Sequence, residues 1–162
     1  MEIQEKMLRL LVEKEIEDLL YEYARLIDEQ RYYDWIDLFT EDGSYSAITV
    51  ENLKDQGLFL FKDDGKEALK ERIAYLMGYW QVPRSPTLHL VSNLTVNQLK
   101  ESEAKCRSYY HIYRIGEDGV PQFYSCGVYE DLLVKHDGRW RFRQRKVIVY
   151  NNTLPPNFTE LL

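Results

Sequence analysis

His89 and Asp28 are the residues in this chain best suited by type and position to do chemistry. His89 lies in the stretch Arg84-Ser85-Pro86-Thr87-Leu88-His89-Leu90-Val91-Ser92-Asn93 and is one of only three histidines. A carboxylate beside an imidazole fixes its tautomer and strengthens it as a base. That pairing suits general acid–base work, such as proton removal next to a carbonyl or loss of water. Tyr23 and Tyr45 are the tyrosines expected to line the same pocket, where a hydroxyl can hydrogen-bond a substrate oxygen. The second reading of the same residues is structural: a buried histidine bonded to Asp28 or to backbone, tying a helix to a sheet. Buried polar groups need partners whether or not they react. The other two histidines offer less. His111, between Tyr110 and Ile112, reads as an exposed or interface side chain on a strand, and His136, beside Asp137-Gly138, as a turn residue.

The elements that must position this pair follow from periodicity. Residues 2–30 read as one long amphipathic helix, with Leu8, Leu11, Val12, Glu15, Ile16, Leu19, Leu20, Tyr23, Ala24 and Ile27 along one side. Asp28 follows that stripe directly, at the helix C-terminal end, where the helix dipole disfavours a carboxylate. Tyr33 to Phe39 reads as a short second helix, ending in the turn cluster Thr40-Glu41-Asp42-Gly43. Ser44 to Val50 reads as a strand, residues 51–56 as loop and Gly57 to Phe61 as a second strand. A third helix carries Leu69, Arg72, Ile73, Leu76 and Met77 and closes near Gly78. Pro83 and Pro86 then force extended backbone. Four long antiparallel strands follow, at Thr87–Val96, Glu103–Ile115, Gln122–Lys135 and Arg139–Asn151, with turns at Asp118-Gly119 and Asp137-Gly138. The tail Thr153-Leu154-Pro155-Pro156-Asn157-Phe158 is expected to lie irregularly across a surface. In the last strand Arg139, Arg141, Arg143 and Arg145 alternate. They are expected to share one face, pairing with acids such as Glu130 and Asp131 or marking an assembly surface. Trp140, Phe142 and Ile148 are expected on the other.

The totals bound what such a chain does. At 162 residues it forms one domain, residues 1–162, large enough for a core without staples. A net charge of −6 gives poor footing for nucleic acid, which rewards phosphate neutralisation, so no nucleic-acid partner is expected. There is no apolar run long enough to span a membrane and no signal-like start, so a cytoplasmic placement is expected. Cys106 and Cys126 show no metal spacing and read as buried thiols. The 13 tyrosines are the one compositional excess, and suit sheets, interfaces and half-polar pockets.

Three helices with an early strand pair, then long antiparallel strands, give an α+β layer architecture. The arrangement resembles the cone-shaped, cystatin-like fold of the nuclear transport factor 2-like superfamily, in which a long N-terminal helix packs in a curved, mostly antiparallel sheet. Within it the chain resembles the small (beta) subunits of aromatic-ring-hydroxylating dioxygenases. The resemblance is carried by Tyr23 to Asp28, Tyr33 to Phe39, Phe61 to Asp64 with Leu69 and Arg72, Pro83 to Asn93, Arg139 to Phe142 and Asn157-Phe158. The chain departs from the family at Leu88, where an arginine is frequent, and at Tyr150-Asn151-Asn152, where an acid–glutamine pair is frequent. The resemblance implies a non-catalytic subunit that trimerises and supports a large Rieske-type (alpha) subunit carrying the cluster and the iron. No cofactor is then expected in this chain, and three scattered histidines with two scattered cysteines supply neither a Rieske nor a mononuclear iron ligand set. Other members of the superfamily imply the alternative: a stand-alone, cofactor-independent dehydratase, isomerase or cyclase using Asp28 and His89, with a small aromatic or polycyclic ligand in the cone.

Overall fold

The computed structural model describes residues 1–78 and 84–162. Helix α1, Glu2–Asp28, buries Ile16, Leu19, Leu20, Tyr23, Ala24, Leu26 and Ile27. Leu8 and Leu11 stay exposed although they continue the same stripe. Helix α2, Tyr32–Ile36, is shorter than the spacing predicts, and strand β1 begins at once, Phe39–Thr49. The polar stretch expected as loop contains a short helix α3, Val50–Lys54, whose first turn is capped by the Thr49 hydroxyl accepting from the Asn52 N–H. Strand β2 is Phe61–Asp64, so the expected strand at Gly57–Phe61 starts where it was expected to end. Helix α4, Lys66–Gly78, buries Leu69, Ile73 and Leu76. Pro83 lies outside the described residues. Strands β3 (Thr87–Leu99), β4 (Glu103–Ile115), β5 (Pro121–His136) and β6 (Arg139–Val149) complete the chain up to its irregular tail.

The sheet is a single open layer of six strands in the order β2-β1-β6-β5-β4-β3. All neighbours run antiparallel except β1 and β6, which are parallel. The expected α+β cone, a long helix against a mostly antiparallel sheet, is the observed fold. Strand β4 shows the alternation cleanly: Ala104, Cys106, Ser108, Tyr110 and Ile112 face the helix, while Lys105, Arg107, Tyr109 and His111 face out. Cys106 is therefore buried, whereas Cys126 is only half-buried, and both thiols are free.

One bulge changes the chemistry of the core. Between β5 and β6 the register shifts so that Leu133 pairs with Phe142 and Leu132 with Gln144, leaving Arg143 as the extra residue. Beyond it the side chains change faces. Arg145 therefore leaves the expected arginine row and points inward, fully buried, while Ile148 turns out to join Ile48 and Val128. The guanidinium makes a two-pronged bond to Asp131, at 2.8 and 2.6 Å. It also lies over the rings of Tyr23 (4.0 Å), Tyr129 (3.9 Å) and Phe142 (4.2 Å). Burying a charge is tolerable only with such a set of partners. The carboxylate of Asp131 keeps Arg145 charged against the pull of burial. On the outer face it is Lys146, not an arginine, that pairs with Glu130, at 2.9 Å.

Gly127 sets the approach of β5 to β6. A Cβ built there would stand 1.9 Å from the Ile148 carbonyl oxygen and 3.1 Å from the Tyr110 ring, so backbone would have to move. Gly127→Ala is expected to destabilise the fold by about 3 kcal/mol, read from chemical denaturation. A shift under roughly 1 kcal/mol would show that the strands can separate there at little cost.

Candidate functional site

The site forms where three distant segments meet: the last residue of α1, the first turn of pleat in β3, and the end of the chain. Asp28 receives a hydrogen bond from the Thr87 hydroxyl at 2.9 Å and another from the His89 backbone N–H at 2.9 Å. Its Oδ1 also lies 2.6 Å from His89 Nδ1. Asp28, which the helix dipole disfavours as a carboxylate, is thus held by two donors from one strand and by its contact with the His89 ring. His89 is directed inward, opposite Ile112 of β4, and its side chain is fully buried. Asp28 keeps a solvent edge on a shallow cleft of about 340 Å³ shared with Tyr21, Arg25 and Glu29.

The second ring nitrogen decides what the pair can do. His89 Nε2 lies 3.0 Å from the backbone carbonyl oxygen of Leu161. Two ring nitrogens therefore face two oxygen acceptors. Satisfying both takes two protons, as an imidazolium beside a carboxylate or as an imidazole beside a carboxylic acid. Either way the ring has no nitrogen left to exchange a proton with a bound molecule. Asp28 and His89 are in direct contact, as the sequence predicts.

Tyr23 and Tyr45 are both fully buried and meet the same segment of chain. The Tyr45 hydroxyl accepts from the Leu162 N–H at 2.8 Å and donates to the Leu162 oxygen at 3.1 Å. The Tyr23 hydroxyl also donates to the Leu162 oxygen. Burial pushes both phenols above their ordinary range, Tyr45 the further of the two, so both remain protonated donors. Leu161 and Leu162 are buried among core residues. They occupy the space between Tyr23, Tyr45 and His89 where a small aromatic or polycyclic ligand is expected from the sequence.

Reading along the sequence brings Asp28, His89, Tyr23 and Tyr45 to the cone but misses Leu161, Leu162 and Arg145. A signal for the leucines is present: two apolar residues after a proline-rich polar tail have reason to find the core. Arg145 carries no such signal, because the bulge that turns it inward interrupts no pattern in the residues. Among the described residues no group of three or more histidine, cysteine, aspartate or glutamate side chains is placed to hold a metal ion. No described helix is long and apolar enough to cross a membrane.

Residues 8–146 match the family model of the SnoaL-like domain. The chain is 32% identical over 150 residues to the small oxygenase component of the p-cumate 2,3-dioxygenase system of Pseudomonas putida, covering 88% of this chain and 82% of that one. It is 32% identical over 134 residues to the beta subunit of the 3-phenylpropionate/cinnamic acid dioxygenase of Photorhabdus laumondii, covering 75% and 74%. Among solved structures, a protein of Novosphingobium aromaticivorans assigned as the beta subunit of an aromatic-ring-hydroxylating dioxygenase superposes with a TM-score of 0.85. It is 20% identical and covers 95% of this chain and 99% of that one, a likeness of fold.

If the pair is a tie, His89→Ala leaves Asp28 and the Leu161 carbonyl without a partner. Stability is expected to fall by about 3 kcal/mol in chemical denaturation. Combined with Asp28→Asn, the two losses should fall short of additivity by roughly 1 kcal/mol or more. Independent, additive losses would show that the two side chains do not support one another.

Proposed function

The chain belongs to the SnoaL-like domain family, on the branch of the dioxygenase small subunits, and from that premise we propose that it is the non-catalytic beta subunit of an aromatic-ring-hydroxylating dioxygenase. In this reading it works in the cytoplasm, contributes no cofactor of its own and supports a large alpha subunit that carries the Rieske cluster and the catalytic iron. The observation that carries the reading is the engagement of both His89 ring nitrogens, one by Asp28 and one by Leu161. A cofactor-independent dehydratase, isomerase or cyclase needs an acid or base facing its substrate. Here the residues of the right type are spent on holding the fold.

A supporting subunit needs surface, and the outer face of the sheet supplies it. Leu88 and Leu90 of β3, Tyr109 of β4, Phe123 of β5 and Tyr150 just after β6 are all exposed. Register makes the patch continuous, with Leu88 opposite Tyr113, Tyr113 opposite Phe123, and Leu90 opposite His111. Apolar and aromatic residues gathered on one face are the composition of an assembly surface. This face is proposed to form the homotrimer. The departure at Leu88, where the family frequently has an arginine, makes that part of the face more apolar.

Two measurements test the proposal. The purified chain should sediment as a trimer and should co-purify with a Rieske-type large subunit from the same genome when the two are expressed together. Leu90→Asp, on the outer face, should shift the trimer toward monomer while leaving the circular dichroism spectrum unchanged. A monomeric wild-type chain that ignores every large subunit offered, or turnover by the chain alone that disappears with His89→Gln, would sink the reading.

A further inference from the structure

The residues after β6 cross the mouth of the cone without joining the sheet. Strand β6 stops at Val149, and residues 150–162 contain no helix or strand. They are held instead by separate side-chain contacts. The Asn151 side-chain oxygen accepts from the Ser125 hydroxyl at 3.0 Å, and its amide donates to the Thr153 carbonyl at 3.2 Å. Arg114 reaches the carbonyls of Pro156 (3.4 Å) and Asn157 (3.5 Å). Phe158 stacks on Tyr124 with ring centroids 5.0 Å apart, and the Tyr124 hydroxyl accepts from the Glu160 N–H at 3.0 Å. The segment then dives inward, and Leu161 and Leu162 take the three bonding groups of the cone: His89 Nε2 and the hydroxyls of Tyr23 and Tyr45.

Two clefts lie against this strap. One, of about 460 Å³, is bounded by Arg84, Arg114, Asp118 and Asn157. The other, of about 560 Å³, is bounded by Phe61, Arg72, Leu76 and Phe158. Thr159 and Glu160 line both. Thr159 and Glu160 thus stand between the two clefts, immediately before the buried leucines. Lifting the strap breaks no sheet ladder; its cost is the exposure of Leu161 and Leu162 and the loss of their bonds to His89, Tyr23 and Tyr45. What it uncovers is an apolar cavity with three hydrogen-bonding groups that need new partners.

We propose that residues 153–162 are a displaceable strap over a ligand site in the cone, in which Leu161 and Leu162 hold the place of a small amide or carboxylic acid with a branched apolar body. The His89 ring and the two tyrosine hydroxyls accommodate carbonyl-type oxygens, and the leucine side chains show the shape of the apolar space. The ligand and the strap compete for one set of contacts, so affinity for the ligand is reduced by the fraction of molecules whose strap is closed. The site is independent of the subunit reading: a trimeric supporting subunit can have it or lack it.

The test compares the intact chain with one ending at Glu160, using N-acetyl-leucyl-leucine as the probe in isothermal titration calorimetry. The shortened chain is expected to bind one dipeptide per copy, at least tenfold tighter than the intact chain does. Tyr45→Phe in the shortened chain, which loses both bonds to the dipeptide at that hydroxyl, should weaken binding by roughly tenfold. A shortened chain that folds but binds no dipeptide overturns the proposal, as does equal binding to both chains. If the shortened chain does not fold alone, added dipeptide should restore its circular dichroism spectrum, and failure to do so also overturns it.

Discussion

The Asp28 carboxylate is the junction on which this structure depends. It ends the long helix, receives the Thr87 hydroxyl and the His89 N–H, and grips the His89 ring whose far nitrogen holds Leu161. One side chain thereby fixes the helix to the edge strand β3 and, through the ring, to the end of the chain. The sheet order makes this necessary. Strand β3 is one of the two edge strands and, among the described residues, pairs with β4 alone, so one of its edges has no neighbouring strand to locate it. The long hydrogen-bonded side of the sheet comes from register; the closure of the cone at this end comes from Asp28, its two donors and the His89 ring.

The charge buried deeper in the core follows a different logic. Arg145 and Asp131 are both without solvent contact and bond to each other, with aromatic rings around the cation. A pair of this kind adds little net stability compared with a well-packed apolar core, yet it tolerates few alternatives. Any register of β5 and β6 that turned one partner outward would leave the other charged and alone. The bulge at Arg143, which departs from regular pairing, is thus protected by the pair that it brings together. Gly127, also on β5, works toward the same end by admitting the Ile148 carbonyl at a distance no other residue allows.

These features differ in how far the residues announce them. The meeting of Asp28 and His89 is legible because each follows from a local rule: one ends an apolar stripe, and the other follows a proline break into a strand. The layer order and most strand limits are legible for the same reason, as is a largely antiparallel sheet. The face of Arg145 is not, since Arg139, Arg141, Arg143 and Arg145 alternate without interruption and the bulge is decided by pairing with β5. The parallel contact of β1 with β6 is equally hidden, because the two strands are far apart in sequence and nothing local fixes their direction. The end of the chain has no periodicity at all, so only the cost of leaving two leucines in water hints at where it goes. The early helix misleads in the opposite sense: Leu8 and Leu11 satisfy the pattern of burial but are exposed.

What a cone of this kind can do depends on what faces its inside. This chain keeps residues that would suit catalysis: a carboxylate, an imidazole and two phenols around an apolar space. Each of these groups has partners within the chain. Asp28 makes three contacts with β3, and the two ring nitrogens of His89 face Asp28 and the Leu161 carbonyl. Tyr45 both gives and takes a bond with Leu162, and Tyr23 gives one to the same oxygen. A proton can be transferred only by a group with a free position facing the reacting atom. The chain's own residues fill those positions here, so the cone is occupied while its polar side chains are retained.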